Sequence, residues 1–324
     1  MNPPLLRPTP WIALALLAGV AFTAGAQNFP TKPIRFLVPF GPGGVGDITA
    51  RVVAQKMGDQ MGQQIIIDNR PGAGGVVATE IVAKAEPDGH TMLLLNNAHA
   101  ISTSLFKTLP YDTLRDFAPV GTVGTFSIVL MVSPESPLKS VKDLIAQAKA
   151  NPGKMNAGSV LLGATQHLSA ELFKSMAGID FTTVPHNTTG ALIASLRGGS
   201  VQVAFDFIAP VIGQVKSGAL RALAISPRNR FPGLPNIPTV AETVPGFVAT
   251  GWAVLVAPVG TPEAVIRKVS NDLHQVTSQP DLNKKLARLG SYTRPMSFEE
   301  TTAFVHRQQQ MWNPVLKEIV QKQP

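Results

Sequence analysis

From Val38 to Arg51 an apolar run passes through Pro39-Phe40-Gly41-Pro42-Gly43-Gly44 into a segment where Ile48, Val52, Val53 and Met57 recur near helical spacing. A strand, a glycine-rich turn and a helix in that order make an anion site. Gly43 and Gly44 let a ligand approach the backbone, unpaired N–H groups point at it, and the helix dipole adds partial positive charge. The helix is expected to begin at Asp47, which is placed to cap it. The same residues, as Gly41-x-Gly43-x-x-Gly46, match the dinucleotide fingerprint, and Asp68 follows about 20 residues on, where a ribose-binding acid is expected. Pro42 removes one N–H from that turn. Carboxylate or phosphate capture, dinucleotide binding and a plain turn closing a strand-helix unit all fit these residues.

Other reactive side chains are sparse. His99, His167 and His186 have no zinc-ligand spacing and the chain has no cysteine, so no metal and no cofactor is expected. Ser159 and Ser195 lack a nucleophile elbow, and Asp47, Asp68 and Asp206 lie far apart, so the expectation is that the protein is not an enzyme. Asp206, at the end of the strand Val201 to Phe205, can receive a ligand ammonium or a water, or cap the next segment. Arg51 and Arg70 can attract an anion or brace loops. Trp252 can line a cleft or pack within its strand.

Met1 to Ala26 carries one charge, Arg7, an uncharged run from Trp11 to Phe22, and the small residues Ala24-Gly25-Ala26. This pattern predicts a secretory signal peptide cut near Ala26 and an exported, periplasmic protein. The apolar run is shorter than the ~20 residues of a membrane span. About 300 mature residues predict two domains. The net charge of +8 suits acidic small molecules, but lysines and arginines are scattered without interleaved aromatics, so nucleic-acid binding is not expected.

The elements that must position these residues alternate in type. Ile34 to Phe40, Gln64 to Ile67, Thr91 to Leu95 and Ser127 to Val132 read as strands, each ending in a polar or glycine-rich turn. A parallel α/β sheet with its turns on one edge follows. A second glycine-containing loop region is expected to begin at Asn156 to Ser159, its tail Gly163-Ala164-Thr165-Gln166-His167 opening the helix Leu168 to Met176, with Thr165 placed as an N-cap or as a ligand hydroxyl. Pro262 to Pro324 reads as mostly amphipathic helix. Crossings near Thr122 to Thr125 and Phe247 to Gly251, with glycines at both, predict a hinge. The expected boundaries are a signal peptide 1–26, a discontinuous first domain 27–124 and 249–324, and a second domain 125–248.

Several blocks in order make the chain resemble the Bug-type receptors of tripartite tricarboxylate transporters. They include Val38-Pro39-Phe40-x-Pro42-Gly43-Gly44 with Asp47, Asn69-Arg70-Pro71-Gly72-Ala73-Gly74-Gly75, Pro87-Asp88-Gly89, Leu109-Pro110-Tyr111-Asp112, His167-Leu168, and Leu220-Arg221-Ala222-Leu223-Ala224. The resemblance implies a two-domain α/β flytrap of the periplasmic binding protein type II kind, monomeric, with a small-molecule carboxylate as ligand and membrane permease subunits as partners. It places Phe40, Gly43, Gly44 and Asp47 on one side of the ligand with Asn96, Asn97 and His99, and Ala164, Thr165, Gln166 and Asp206 on the second domain. Val160 to Gln166 and His186 to Gly190 depart from the family's usual loops, so the solute stays open among amino, aromatic, di- and tricarboxylic acids. An exported NAD-binding oxidoreductase and a sensor subunit for a membrane kinase remain as alternatives.

Overall fold

The structure is a computed structural model that describes residues 29–71, 75–97, 99, 108–112, 115–160 and 164–321. The expected signal peptide 1–26, Gly72 to Gly74 and Leu161 to Gly163 lie outside the described residues. β1 (Ile34–Val38), α1 (Val45–Met61), β2 (Ile65–Asn69), α2 (Val76–Ala83) and β3 (Thr91–Asn96) form strand-helix units whose strands run parallel in the order β2-β1-β3. After β4 (Phe117–Val132) come α3 (Val141–Ala150), β5 (Asn156–Val160), α4 (Thr165–Ala177), β6 (Thr182–His186), α5 (Thr189–Arg197) and β7 (Val203–Phe207), and the parallel pattern recurs as β6-β5-β7. Then follow α6 (Ile212–Lys216), β8 (Arg221–Ile225), β9 (Thr250–Pro258), α7 (Glu263–Thr277), α8 (Pro280–Arg288), β10 (Ser291–Tyr292) and α9 (Phe298–Gln321).

This is the expected two-domain type II arrangement. Helices cover both faces of the central strands, so Met92 to Leu95 and Trp252 to Val256 are buried without alternation. α7 buries Val265, Ile266, Val269, Leu273 and Val276, a stripe at helical spacing, against the first sheet. One expectation fails here: Asn156 to Ser159 is strand β5, not a loop. Gly158 marks close packing, since a Cβ there would lie 2.4 Å from Leu192 Cδ1.

β4 belongs to both sheets. Along one edge it pairs with β9 up to Ser127↔Thr250 and then with β8 from Val129↔Ile225. Along the other it pairs with β10 at Phe126↔Ser291 and then with β7 from Ile128↔Phe207. Both edges therefore change partner between Phe126 and Val129, one turn of the chain beyond the expected crossing at Thr122 to Thr125. The junctions are bonded: Ser226 donates its N–H to Ile128 O at 2.9 Å and its hydroxyl accepts from Ile128 N at 3.0 Å, while Ile208 N donates to Ser127 O at 2.9 Å.

Glycines at the crossings serve close packing rather than freedom of φ. A Cβ at Gly124 would lie 2.8 Å from Thr49 Cγ2 of α1, and one at Gly251 would lie 2.6 Å from the Phe207 ring. Phe207 in turn meets Phe126 edge-on at 5.9 Å, a pair worth ~1 kcal/mol beyond its burial. α9 adds a further link. Phe304 and Val305 pack in the first-domain core with Trp252, whereas Trp312, fully buried, packs with Phe173, Phe205 and Phe247 of the second.

Gly290 has φ +77°, and a Cβ there would lie 2.5 Å from Ala209 Cα. Gly290→Ala combines left-handed strain with a clash against backbone that cannot rotate away, so it is expected to cost about 2 kcal/mol or more. Gly44→Ala, with φ −73° and open space, is expected to stay within about 0.5 kcal/mol. Urea unfolding of both variants checks the difference.

Candidate functional site

The first glycine turn is held by a buried carboxylate. α1 starts at Val45 with Gly44 as N-cap, so Asp47 is its third residue and not the expected cap. From there Asp47 Oδ2 accepts from Gly43 N at 2.9 Å and Arg51 Nε at 3.1 Å, and Oδ1 accepts from Asn69 Nδ2 at 2.8 Å. The Gly43 N–H is therefore occupied, contrary to the expectation that it is unpaired. Burial pushes the Asp47 carboxyl up, but the bonds from Arg51, Gly43 and Asn69 outweigh it and hold the group below the usual range.

Asn69 also donates to Phe40 O at 3.0 Å and accepts from Arg51 at 2.7 Å. Sequence reasoning quoted Asn69 only as part of a motif, although an amide at a strand end, with both donors and an acceptor, is suited to such bridging. Gly43 has φ +84°, which favours glycine. The Phe40 ring packs on Gly46, where a Cβ would lie 2.7 Å away, so the third glycine of the fingerprint makes room for an aromatic ring. Gly41 to Gly44 stay exposed and Phe40 half-buried. Gly44, Val45 and Gly46 keep N–H groups with no side-chain acceptor among the described residues.

Beside this turn lies the end of β3. Gly75 caps α2 with φ +94°, and a Cβ there would lie 2.8 Å from the His99 ring and 3.1 Å from Pro39 Cβ. Thr79 donates its hydroxyl to Gly75 O at 2.9 Å, so its 2.7 Å contact with His99 Nε2 requires the proton on Nε2. Nδ1 is then the acceptor for Asn96 N at 3.3 Å and lies 3.0 Å from the Asn96 side-chain amide. Burial lowers the His99 pKa to about 4, against a smaller opposing effect of the Gly75 backbone, so the ring is neutral at pH 7. Asn97, also buried, donates to Thr250 O and accepts from Trp252 N, each at 3.1 Å, clamping β3 to β9.

In the second domain Ala164 is the N-cap of α4 and offers no side-chain acceptor; Thr165, expected as the cap, is the first helical residue. Gln166 Nε2 donates to Asp206 Oδ1 at 3.2 Å, Thr189 Oγ1 to Oδ2 at 2.6 Å, and Phe207 N to Oδ1 at 2.7 Å. Burial pushes the Asp206 carboxyl up; these three donors oppose it without cancelling it. Thr189 was not among the expected site residues. Its signal was the N-terminal position of α5, one residue after the Thr188 cap.

The expected residues thus fall into one group around Gly43, Asp47 and Asn96 to His99 and another around Gln166 and Asp206. Among the described residues no hydrogen bond joins the two. Arg51 and Arg70 brace loops, on Asp47 and Asp68, and Trp252 packs in its strand with Nε1 on Gln308 at 3.0 Å. Asp68 is bound by Arg35 as well as Arg70.

Residues 49–320 match the tripartite tricarboxylate transporter family receptor. The chain belongs to that family. It is 35% identical over 304 residues to BugT of Bordetella pertussis, covering 93% of each protein. Among solved structures it is similar to R. palustris Rpa4515 with adipate (TM-score 0.78, 32% identity, 90% of this chain and 98% of that one). It is also similar to MatC of Rhodopseudomonas palustris with bound malate (TM-score 0.74, 30% identity, 89% and 100%). Members of the family are solute-binding receptors and not enzymes, which overturns the oxidoreductase alternative.

His99 binds protons less readily folded than unfolded, so its share of stability is complete above about 6.5 and is lost as pH falls from there toward about 4. The full difference is on the order of 3 kcal/mol. His99→Gln should show a flatter loss than the wild type in urea unfolding between pH 7.5 and 4.5; parallel curves would show that His99 is not the titrating group.

Proposed function

We propose that this receptor captures a small carboxylate between its two domains and delivers it to a tripartite tricarboxylate-type membrane transporter. The observation that carries this reading is the exposed Gly41 to Gly44 turn, fixed from beneath by Asp47, with the N–H groups of Gly44, Val45 and Gly46 left for an anion. The uncapped start of α4 at Ala164 supplies a matching set from the second domain. Adipate in Rpa4515 and malate in MatC agree with a dicarboxylate, one end per domain. In this proposal Phe40, Gly43, Gly44, Asn96, Ala164 and Thr165 touch the ligand. Asp47, Asn97, His99, Gln166 and Asp206 hold them in place through the hydrogen bonds described above.

The domain boundaries 27–124 with 249–324, and 125–248, belong to the same proposal, with α9 reaching across both. Capture requires that the ligand bind the closed state better than the open one. Export through the signal peptide 1–26 places the receptor in the periplasm, where it acts as a monomer.

Thermal unfolding of the ligand-stripped protein with malate, adipate, longer dicarboxylates, tricarboxylates, amino acids and NAD tests this. A ligand at ~100 times its Kd adds about 2.7 kcal/mol and a clear rise in midpoint. One carboxylate class is expected to stabilise and NAD to leave the midpoint unchanged. Gly43→Val, which strains a φ of +84°, should weaken that ligand about tenfold or more, while Gly44→Ala changes it little. Equal affinity in a folded Gly43→Val variant would remove the turn from the site.

A further inference from the structure

A cavity of about 750 Å³ lies where β4 changes partners, and no residue of the glycine turns lines it. Its floor includes Thr125 of β4 and Thr250 of β9, its second-domain wall is the segment Pro227 to Pro232 with Val248, and its first-domain wall runs from Tyr292 to Met296 with Phe304. The size suits a small organic ligand. Its charge is one-sided: Arg228, Arg230 and Arg294 line it, and no aspartate or glutamate does. Arg230 is held by Glu242 through bonds of 2.9 and 2.8 Å. Arg228 and Arg294 are exposed, and neither guanidinium has a hydrogen-bond or carboxylate partner among the described residues. Beneath them Phe231, Met296 and Phe304 are buried and present an apolar surface.

We propose that this cavity is a second ligand site, for a small organic anion with an apolar body, its acid group held between Arg228 and Arg294. Guanidinium forks recognise carboxylate and sulfonate oxygens in pairs, and the apolar wall takes the remainder. The walls come from both sides of the level where β4 changes partners, so an occupant contacts both domains at once. Phe304 meets Trp252 edge-on at 5.6 Å, and Asn97 clamps Thr250 and Trp252. The cavity is thus one residue layer from Asn96 and Asn97. The proposal stands on residues separate from those of the carboxylate cleft.

The probe is 8-anilinonaphthalene-1-sulfonate, an apolar body with one acid group, followed by its fluorescence on the full mature chain. Saturable binding of about one probe per chain is expected. Arg228→Gln with Arg294→Gln should weaken it at least tenfold, whereas the charge-matched pair Lys142→Gln with Lys149→Gln, exposed on α3, should not. The uncharged analogue N-phenyl-1-naphthylamine should bind the wild type at least tenfold more weakly. Unchanged binding in the arginine pair, equal loss in the lysine pair, or equal affinity for the uncharged analogue would each overturn the site. Thermal unfolding with malate and adipate on the same variants keeps this outcome apart from that of the cleft.

Discussion

One continuous strand sets the geometry of this protein. β4 runs unbroken from Phe117 to Val132, and each of its edges is shared between two collinear strands, β9 and β8 on one and β10 and β7 on the other. All four partners end or begin opposite residues 126 to 129. A covalent strand cannot part, whereas a junction between strand ends can bend without breaking a ladder. The hinge is therefore a level on β4 rather than a flexible loop. At that level the hydroxyl of Ser226 replaces a backbone partner for Ile128, and Phe126, Gly251 and Phe207 fill the space between the two cores.

Each domain then braces one strand-helix turn with one buried carboxylate. Asp47 gathers Gly43, Asn69 and Arg51, and Asp206 gathers Gln166, Thr189 and Phe207. The donor sets differ in one respect. Arg51 supplies a cation, so Asp47 stays ionised to lower pH, while Asp206 has only neutral donors among the described residues and burial prevails. Backbone groups on the exposed side of such turns are fixed in advance, and such preorganisation lowers the ordering cost of binding in general.

Much of this was legible in the chain. The strand-turn-helix at Val38 to Arg51 has a period, a glycine cluster and an acid that require little context. The alternation of strands and helices is carried by buried runs such as Met92 to Leu95 and amphipathic ones such as Glu263 to Thr277, so fold class followed from local pattern. Family blocks spread over the chain fixed the receptor class. Short-range chemistry misled where two roles share one residue type: Asp47 and Thr165 have good capping side chains, yet the helices begin at Val45 and Thr165 itself, because glycine and alanine can supply the extended cap conformation. Asn156 to Ser159 looked like a loop because its small residues are those of a turn, whereas Gly158 is small because Leu192 packs closely on it.

By itself the sequence determined the α/β receptor class, the glycine turn and the identity of its acid, from local pattern and from motif blocks along the chain. Only the tertiary structure decided what those groups bind. That Asp47 meets Asn69, that His99 is neutral between Thr79 and Asn96, that Gly124 is shaped by Thr49, and that Trp312 sits in the second core are contacts between distant segments. The same holds for the arginines of the hinge cavity, which are 66 positions apart from Arg228 to Arg294 and line one cavity only because β8 ends, and β10 begins, near the level where β4 changes partners. Local periodicity records which face of an element is buried; it carries no information about which distant face it will meet.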